Sequence, residues 1–344
     1  MHQIIKEGSA EILVPVADKI SKQMEIFYNP VMKLNRDVAI LLLQQFPPMS
    51  ICDLMAGTGI RAIRFAKELK YKSITANDIS KKSVKLIKKN MKLNKVKFEV
   101  ENKDADIFLL ESKGFDYIDV DPFGTSNFFL DSAVKRISRN GILAVTNTDT
   151  AALTGTYPEA CIRKYWALPK RDYMMHETGL RILIRKIQLV GMQYEKALIP
   201  IFSYFKDHYF RIYFQCIKGK NECGNIAKQH KMFNNAGPLW TDSLCDNILA
   251  NKIYSQSLKN KKIGNNEELT RFLKIIEEES KINSVGFYDI NRIAKEKKLK
   301  TIIKKNELIK KIRNNGFKAS ETHFAGTGIR SDISYDKLMK IIKQ

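Results

Sequence analysis

Between residues 50 and 148, short apolar runs alternate with stretches of helical spacing, and this alternation constrains the fold more than any other feature of the chain. The runs at 50–54, 73–77, 96–101, 115–119 and 141–147 read as strands. The stretches at 60–69, 82–91 and 127–137 between them space their apolar residues as helices do. Strand–helix alternation at this pitch predicts a parallel sheet covered on both faces. A long helix is expected over 174–190, followed by two strands at 197–204 and 209–217. The link between those two strands, Phe205-Lys206-Asp207-His208, is short enough to force them antiparallel.

That ending separates two α/β folds. A dinucleotide-binding fold continues with parallel strands, whereas a class I (Rossmann-like) methyltransferase sheet has seven strands and ends in an antiparallel hairpin. The glycine loop alone leaves the choice open. Asp53, Gly57, Gly59, Arg61 and Ala62 follow the first strand and open a helix, and Asp78 lies 21 residues beyond Gly57. Glycines there let the backbone approach a ligand closely, and a carboxylate at the second strand end can hold both ribose hydroxyls, for either cofactor. Asp53 tips the balance chemically. It suits the cationic sulfonium and amino groups of S-adenosylmethionine and would repel a pyrophosphate.

A second site follows the fourth strand, where Asp119 and Val120 lead into Asp121-Pro122-Phe123-Gly124. The amino group of a nucleobase is a poor nucleophile because its lone pair is conjugated into the ring. An acidic side chain and a proline carbonyl can both accept its hydrogens, and a neighbouring aromatic ring can stack on the base. Asp121, Pro122 and Phe123 supply those parts. Asp104 and Ala105, after the third strand, could meet an adenine ring, or Asp104 could simply cap the next helix. Phe27-Tyr28-Asn29-Pro30 and Arg36 precede the sheet, and by themselves read as packing and surface charge.

Charge bears on the partner. The chain of 344 residues carries a net +22, and +11 of that falls in residues 251–344. Residues 281–318 alone hold +9, with Lys295, Lys297, Lys298, Lys300, Lys304 and Lys305 close together. An excess of this size attracts polyanions, of which nucleic acid is the commonest. No apolar run reaches the eighteen or so residues of a membrane helix, so no membrane association is expected. Five cysteines without a CxxC pair read as reduced thiols of a cytoplasmic protein with no metal site. Residues 218–236 read as a polar linker, 272–276 as a helix, and 291–312 as a helix broken near Leu299.

Taken together, these words resemble the tRNA (guanine-N2)-dimethyltransferases that act on guanine 26, in their compact archaeal form. The resemblance runs through Phe27-Tyr28-Asn29-Pro30, Asn35-Arg36-Asp37, Gly57-Thr58-Gly59-Ile60-Arg61, Asn77-Asp78 and Asp121-Pro122-Phe123-Gly124. It continues in Thr146-Asn147-Thr148-Asp149, His176-Glu177-Thr178-Gly179-Leu180-Arg181, Lys206-Asp207-His208-Tyr209-Phe210-Arg211, Gly237-Pro238-Leu239-Trp240 and Thr322-His323-Phe324. The resemblance implies that Arg36, Arg61, Asp78, Asp104 and Ala105 contact S-adenosylmethionine. It also implies that Asp121 is the catalytic carboxylate and that Phe27 and Phe123 hold a flipped guanine. Some members carry a four-cysteine zinc site, and Cys216, Cys223 and Cys245 lack its spacing. The expected organisation is a catalytic domain over 1–217 and a smaller, basic α+β domain over 218–344 that binds tRNA, with no obligate protein partner. The competing readings are an amino methyltransferase of other nucleic acids, a non-catalytic RNA-binding scaffold and a nicotinamide-dependent oxidoreductase.

Overall fold

In the computed structural model, residues 2–15, 26–260, 263, 266–299 and 303–342 are described. The chain opens with a hairpin, β1 (His2–Glu7) and β2 (Ala10–Pro15), followed by helix α1 (Lys33–Leu43). The central sheet is then built from β3 (Ser50–Asp53), β4 (Ser73–Asn77), β5 (Glu99–Glu101), β6 (Phe115–Val120), β7 (Ile137–Asn147), β8 (Lys196–Lys206) and β9 (Tyr209–Lys218). Between its strands run α2 (Ile60–Glu68), α3 (Lys81–Asn94), α4 (Ala105–Glu111), α5 (Leu130–Arg136), α6 (Thr150–Leu153), α7 (Pro158–Tyr165) and α8 (Met175–Met192).

The seven strands lie in the order β5-β4-β3-β6-β7-β9-β8. The pairs β5/β4, β4/β3, β3/β6 and β6/β7 are parallel, while β9 runs antiparallel to both β7 and β8. This is the class I methyltransferase sheet expected above, ending in its antiparallel hairpin. The chain leaves β3 toward β4 on one side and returns to β6 on the other. The crevice of the fold therefore opens beyond the carboxyl ends of β3 and β6.

The sheet buries two apolar faces. One packs Ile118, Leu143, Val145, Phe210, Ile212 and Phe214 against Leu180, Leu183 and Ile187 of α8. The other packs Ile51, Ile74, Tyr117 and Ile142 against Val38, Leu41 and Leu42 of α1. The N-terminal hairpin is held by two asparagines one turn apart on α3. Asn90 exchanges hydrogen bonds with the Leu13 backbone (2.8 and 3.1 Å), and Asn94 does the same with Glu11 (2.9 and 2.6 Å). The side-chain amides thus stand in for a neighbouring strand.

Residues 218–236, read from sequence as a linker, are structured. They form helix α9 (Lys220–Ala227), strand β10 (His230–Phe233) and the start of β11 (Ala236–Trp240). Cys223, Ile226, Leu239 and Trp240 join the same core as α8, so their scattered apolar positions close one end of the sheet layer. Helices α10 (Asn247–Lys259) and Glu267–Ser280 contribute Leu249, Ile253, Leu273 and Ile276 to the opposite core.

The last part of the chain has a core of its own. Strands Tyr288–Asp289, Ala319–Thr322 and Ala325–Ser331 form a three-stranded sheet. Helices Ile290–Glu296, Lys305–Asn314 and Tyr335–Ile342 cover it around Ile293, Leu308, Ile312 and Leu338. The segment 218–344 therefore divides, with its first sixty or so residues packed on the central sheet and the remainder forming a compact α+β unit. Lys295, Lys297, Lys298 and Lys304 of that unit are exposed, Lys305 pairs with Glu321 (2.8 Å), and Lys300 lies outside the described residues.

Candidate functional site

The glycine loop leaves β3 and turns on two left-handed glycines, Gly57 (φ 55°) and Gly59 (φ 78°). A β-carbon on Gly57 would stand 3.0 Å from the Phe27 carbonyl oxygen. Only glycine therefore lets the loop lie under the 27–30 segment. The Gly57 amide donates to Asp78 Oδ2 (2.8 Å), and the Ser80 amide donates to Asp78 Oδ1 (2.8 Å). Burial nonetheless raises the Asp78 carboxyl above its usual range, ahead of those two bonds. Beneath the loop, Asn77 ties three strand ends together. It donates to the carbonyls of Leu54 (3.2 Å) and Lys103 (3.1 Å) and accepts from the Lys103 amide (3.1 Å). Thr58 Oγ1 is buried in the same loop without a hydrogen-bond partner among the described residues.

The Asp121-Pro122-Phe123-Gly124 turn leaves β6 beside this loop, with the Leu54 amide donating to the Asp119 carbonyl (3.3 Å). Gly124 is left-handed (φ 76°), and its amide and carbonyl are both held by Thr148 (2.7 and 2.9 Å). Asp121 is partly exposed, Pro122 is buried, and Phe123 is 45% exposed. The rings of Phe27 and Phe123 meet edge to face, their centroids 4.2 Å apart. The two aromatic residues singled out from sequence are thus in contact at the mouth of the crevice.

Arg61, from the first turn of α2, runs beneath the turn. Its guanidinium pairs with Asp121, lies 3.3 Å from Asp119 and 4.0 Å from Asp53, and donates to Asn35 Oδ1 (3.0 Å). Arg211 of β9 closes the cluster with two bonds to Asp119 (2.9 and 2.6 Å) and one to Thr146 Oγ1 (2.9 Å), and Tyr117 donates to the same carboxylate. Burial would raise Asp119, but Arg211 and Arg61 outweigh it and hold the carboxyl below its usual range. Asp53 goes the other way. Burial and the charges of Asp119 and Asp121 exceed the pull of Arg61, and its carboxyl is pushed up to about 7. Three aspartates thus share two arginines, which leaves the crevice short of positive charge.

Other residues singled out from sequence lie around this centre. Asp104 caps α4, accepting from the amides of Asp106 (3.0 Å) and Ile107 (3.3 Å), and Ala105 is buried behind it. Arg36 is buried in α1, bonded through two nitrogens to Glu7 (2.7 and 2.6 Å) and to the Asn29 carbonyl (3.2 Å). Asp119 opens the second site in the sequence but carries no role there, and Arg211 stands only within a word of the family resemblance. As a cation beside Lys206 and His208 in sequence, Arg211 is a candidate for contact with RNA. It is fully buried against Asp119 and cannot touch RNA. The signal lay in β9 itself, where one arginine interrupts a run of aromatic and aliphatic residues and so must meet a buried acid.

The five cysteines are free and buried. Among the described residues, no group of three His, Cys, Asp or Glu side chains is placed to hold a metal ion, and no helix is long and apolar enough to cross a membrane.

A family model described as N2,N2-dimethylguanosine tRNA methyltransferase matches residues 8–235 and 225–343. The chain is 36% identical to the tRNA (guanine(26)-N(2)/guanine(27)-N(2))-dimethyltransferase of Aquifex aeolicus, over 99% of this chain and 96% of that protein. It is 35% identical to the tRNA (guanine(26)-N(2))-dimethyltransferase of Methanobrevibacter smithii, over 98% and 96%. The solved structure of Trm1 from Pyrococcus horikoshii in complex with S-adenosyl-L-methionine superposes with a TM-score of 0.91 at 32% identity, covering 99% of this chain and all of that one.

Proposed function

The chain belongs to the N2,N2-dimethylguanosine tRNA methyltransferase family, and we propose that it transfers one or two methyl groups to the exocyclic N2 of guanine 26 of tRNA, drawn into the crevice out of its stack. The observation that carries the reading is Asp121-Pro122-Phe123, set at the end of β6 and braced from below by Arg61.

The residues of the crevice fit S-adenosylmethionine. The left-handed glycines leave a backbone cradle, Thr58 Oγ1 is buried without a partner, and the acids suit a cation and a ribose diol better than a phosphate. Asp78 would hold the ribose hydroxyls, Asp104 and the Ala105 amide would meet the adenine, and Arg36 and Arg61 border the amino-acid end. When bound, the cofactor supplies an electrophilic methyl group.

The guanine N2 lone pair is conjugated into the ring. The Asp121 carboxylate and the Pro122 carbonyl accept the hydrogens of the amine, which draws the nitrogen toward tetrahedral geometry and frees that pair. Arg61 fixes the direction of the carboxylate. Phe123 offers its exposed face to the base, and Phe27 supports the ring edge-on, so a base that enters between them parts the pair. Extraction costs a few kcal/mol of stacking, which the aromatic contacts offset at about 1–3 kcal/mol per base. The second transfer needs no new group, because the monomethyl amine keeps one hydrogen for Asp121 or Pro122. The tRNA body would lie on the basic C-terminal unit, with its exposed lysines on the phosphates.

The test is nucleoside mass spectrometry of a tRNA transcript incubated with the enzyme and S-adenosylmethionine. N2-methylguanosine and N2,N2-dimethylguanosine are expected, and both should vanish when guanine 26 is replaced by adenine. Methylation that persists in the replaced transcript would overturn the positional assignment.

A further inference from the structure

Four of the five exposed aromatic side chains among the described residues are Phe123, Phe128, Tyr157 and Trp166, all on one stretch of the catalytic half. Phe123 belongs to the site already described. The others continue outward from it, because the turn that carries Asp121 is bolted to the end of α7. The Tyr165 hydroxyl lies 3.1 Å from Thr125 Oγ1 and donates to Asp149 (2.9 Å), and Asn127 donates to the Lys164 carbonyl (2.9 Å).

Trp166 is the unusual member. It ends α7 in the left-handed region (φ 56°), a conformation unfavourable for a bulky residue. Two cations hold it from behind. Lys186 Nζ stands 3.0 Å from the centre of the indole, and Arg185 donates to the Trp166 carbonyl (3.1 Å). Half of the indole remains in solvent. Lys186 itself is only 7% exposed and pairs with no carboxylate among the described residues, so burial and Arg185 pull its ammonium down to about 8. Arg163 and Arg171, on either side in sequence, are exposed without an ion pair among the described residues. A braced aromatic plate with exposed arginines three residues before and five after it in the chain is a combination suited to unpaired nucleic-acid bases and their phosphates.

We propose that Trp166, Arg163 and Arg171 form a second tRNA contact on the catalytic half, in which an unstacked base lies on the indole and adjoining phosphates meet the two guanidiniums. The proposal rests on the tRNA reading above and adds a surface to it.

The test uses the full chain and an unmodified tRNA transcript, with binding measured over a salt series for wild type, Trp166→Ala, Trp166→Phe and the double variant Arg163→Ala/Arg171→Ala. Trp166→Ala should weaken tRNA binding roughly tenfold or more, and Trp166→Phe should retain most of the affinity. The arginine variant should reduce the slope of log affinity against log salt by roughly 1.4 to 1.8, two phosphate contacts' worth. Calorimetric binding of S-adenosylmethionine should be unchanged in all of them. If Trp166→Ala loses cofactor binding through misfolding, the arginine variant, altered only at exposed positions, decides. Affinities and slopes equal to wild type in variants that still bind cofactor would overturn the proposal and leave the face to a protein partner. Wild-type methylation, run alongside, separates that failure from failure of the enzymatic reading, since a methylating wild type with silent variants loses only this surface.

Discussion

Among the described residues, two of the buried ion networks are built to opposite ends. The first gathers Asp53, Asp119 and Asp121 around Arg61 and Arg211 beneath the crevice. The second joins α8 to the C-terminal unit. There Arg330 pairs with Glu177 (2.9 Å) and Glu279 (3.2 Å), Arg181 bonds Glu177 (2.9 Å) and the carbonyls of Trp240 and Asp242, and His323 bonds Glu279. In the second network acids and arginines balance, and Glu177 is held down to about 2, since Arg330 and Arg181 together outweigh its burial. In the first the acids exceed the cations, and Asp53 is left at about 7. A saturated network locks parts together, while a deficient one is prepared to receive a positive charge. The same side-chain types therefore serve structure in one place and, in the proposed function, binding in the other.

The sharpest way to break the comparison is to remove one acid from each network. Asp121→Ala should lower the single-turnover rate of methyl transfer by about 10²–10⁴-fold, the range of a positioned proton acceptor. Cofactor and tRNA affinities should stay near wild type, because the carboxylate acts mainly as the amine becomes tetrahedral. Near-normal single turnover would remove Asp121 from the chemistry. In the second network, Arg330→Ala leaves Glu177 and Glu279 partly unpaired and should cost about 3–5 kcal/mol of stability. Urea unfolding reads this directly, and an unchanged midpoint would show that the network is not a lock.

Smaller effects sharpen the contrast. Asp78→Ala should reduce S-adenosylmethionine affinity by about 1.5–3 kcal/mol, as expected of hydrogen bonds to a charged group. Calorimetry that shows no loss would move the ribose elsewhere. The mildest effect concerns pH. A carboxyl raised to about 7 in the fold is protonated below that pH, and its stabilising contribution is lost as pH rises through 7. A cation bound beside it favours the ionised form, so cofactor binding near pH 6.5 should release a proton. Affinity should then fall by at most about 1.4 kcal/mol per pH unit below 7. Binding enthalpies that are identical in buffers of different protonation enthalpy would exclude the coupling.

The two networks also differ in how far the sequence reveals them. Strand–helix alternation and the short 205–208 link were enough for the seven-stranded sheet, because period and loop length are local. The glycine loop, Asp78 and the Asp121 turn were legible for the same reason, since each sits within a few residues of a strand end. The second network was not. Glu177, Arg181 and His323 stand out only within family words, Arg330 does not stand out at all, and their meeting joins residues up to 153 apart in the chain. The structure of residues 218–236 was missed because a buried Cys223 or Ile226 looks like any isolated apolar residue until the sheet supplies its partner. Arg211 shows the same limit from the other side. A charge count sees a cation available to RNA, and only the fold shows it spent on Asp119.

The lock at Arg330 also makes the enzyme a gauge. Glu177 lies on the helix behind the catalytic sheet and Arg330 on the sheet of the C-terminal unit, so their pairing fixes the separation between the pocket and the basic surface. A folded tRNA is itself a body of fixed dimensions. If tRNA rests on that unit as proposed, the nucleotide presented at the pocket would be selected by its distance from the point of rest, and the letters around it would not need to be read. A displacement of one ångström at the lock would then be felt at the reacting nitrogen, which would give residues far from the chemistry a part in choosing where the methyl group lands.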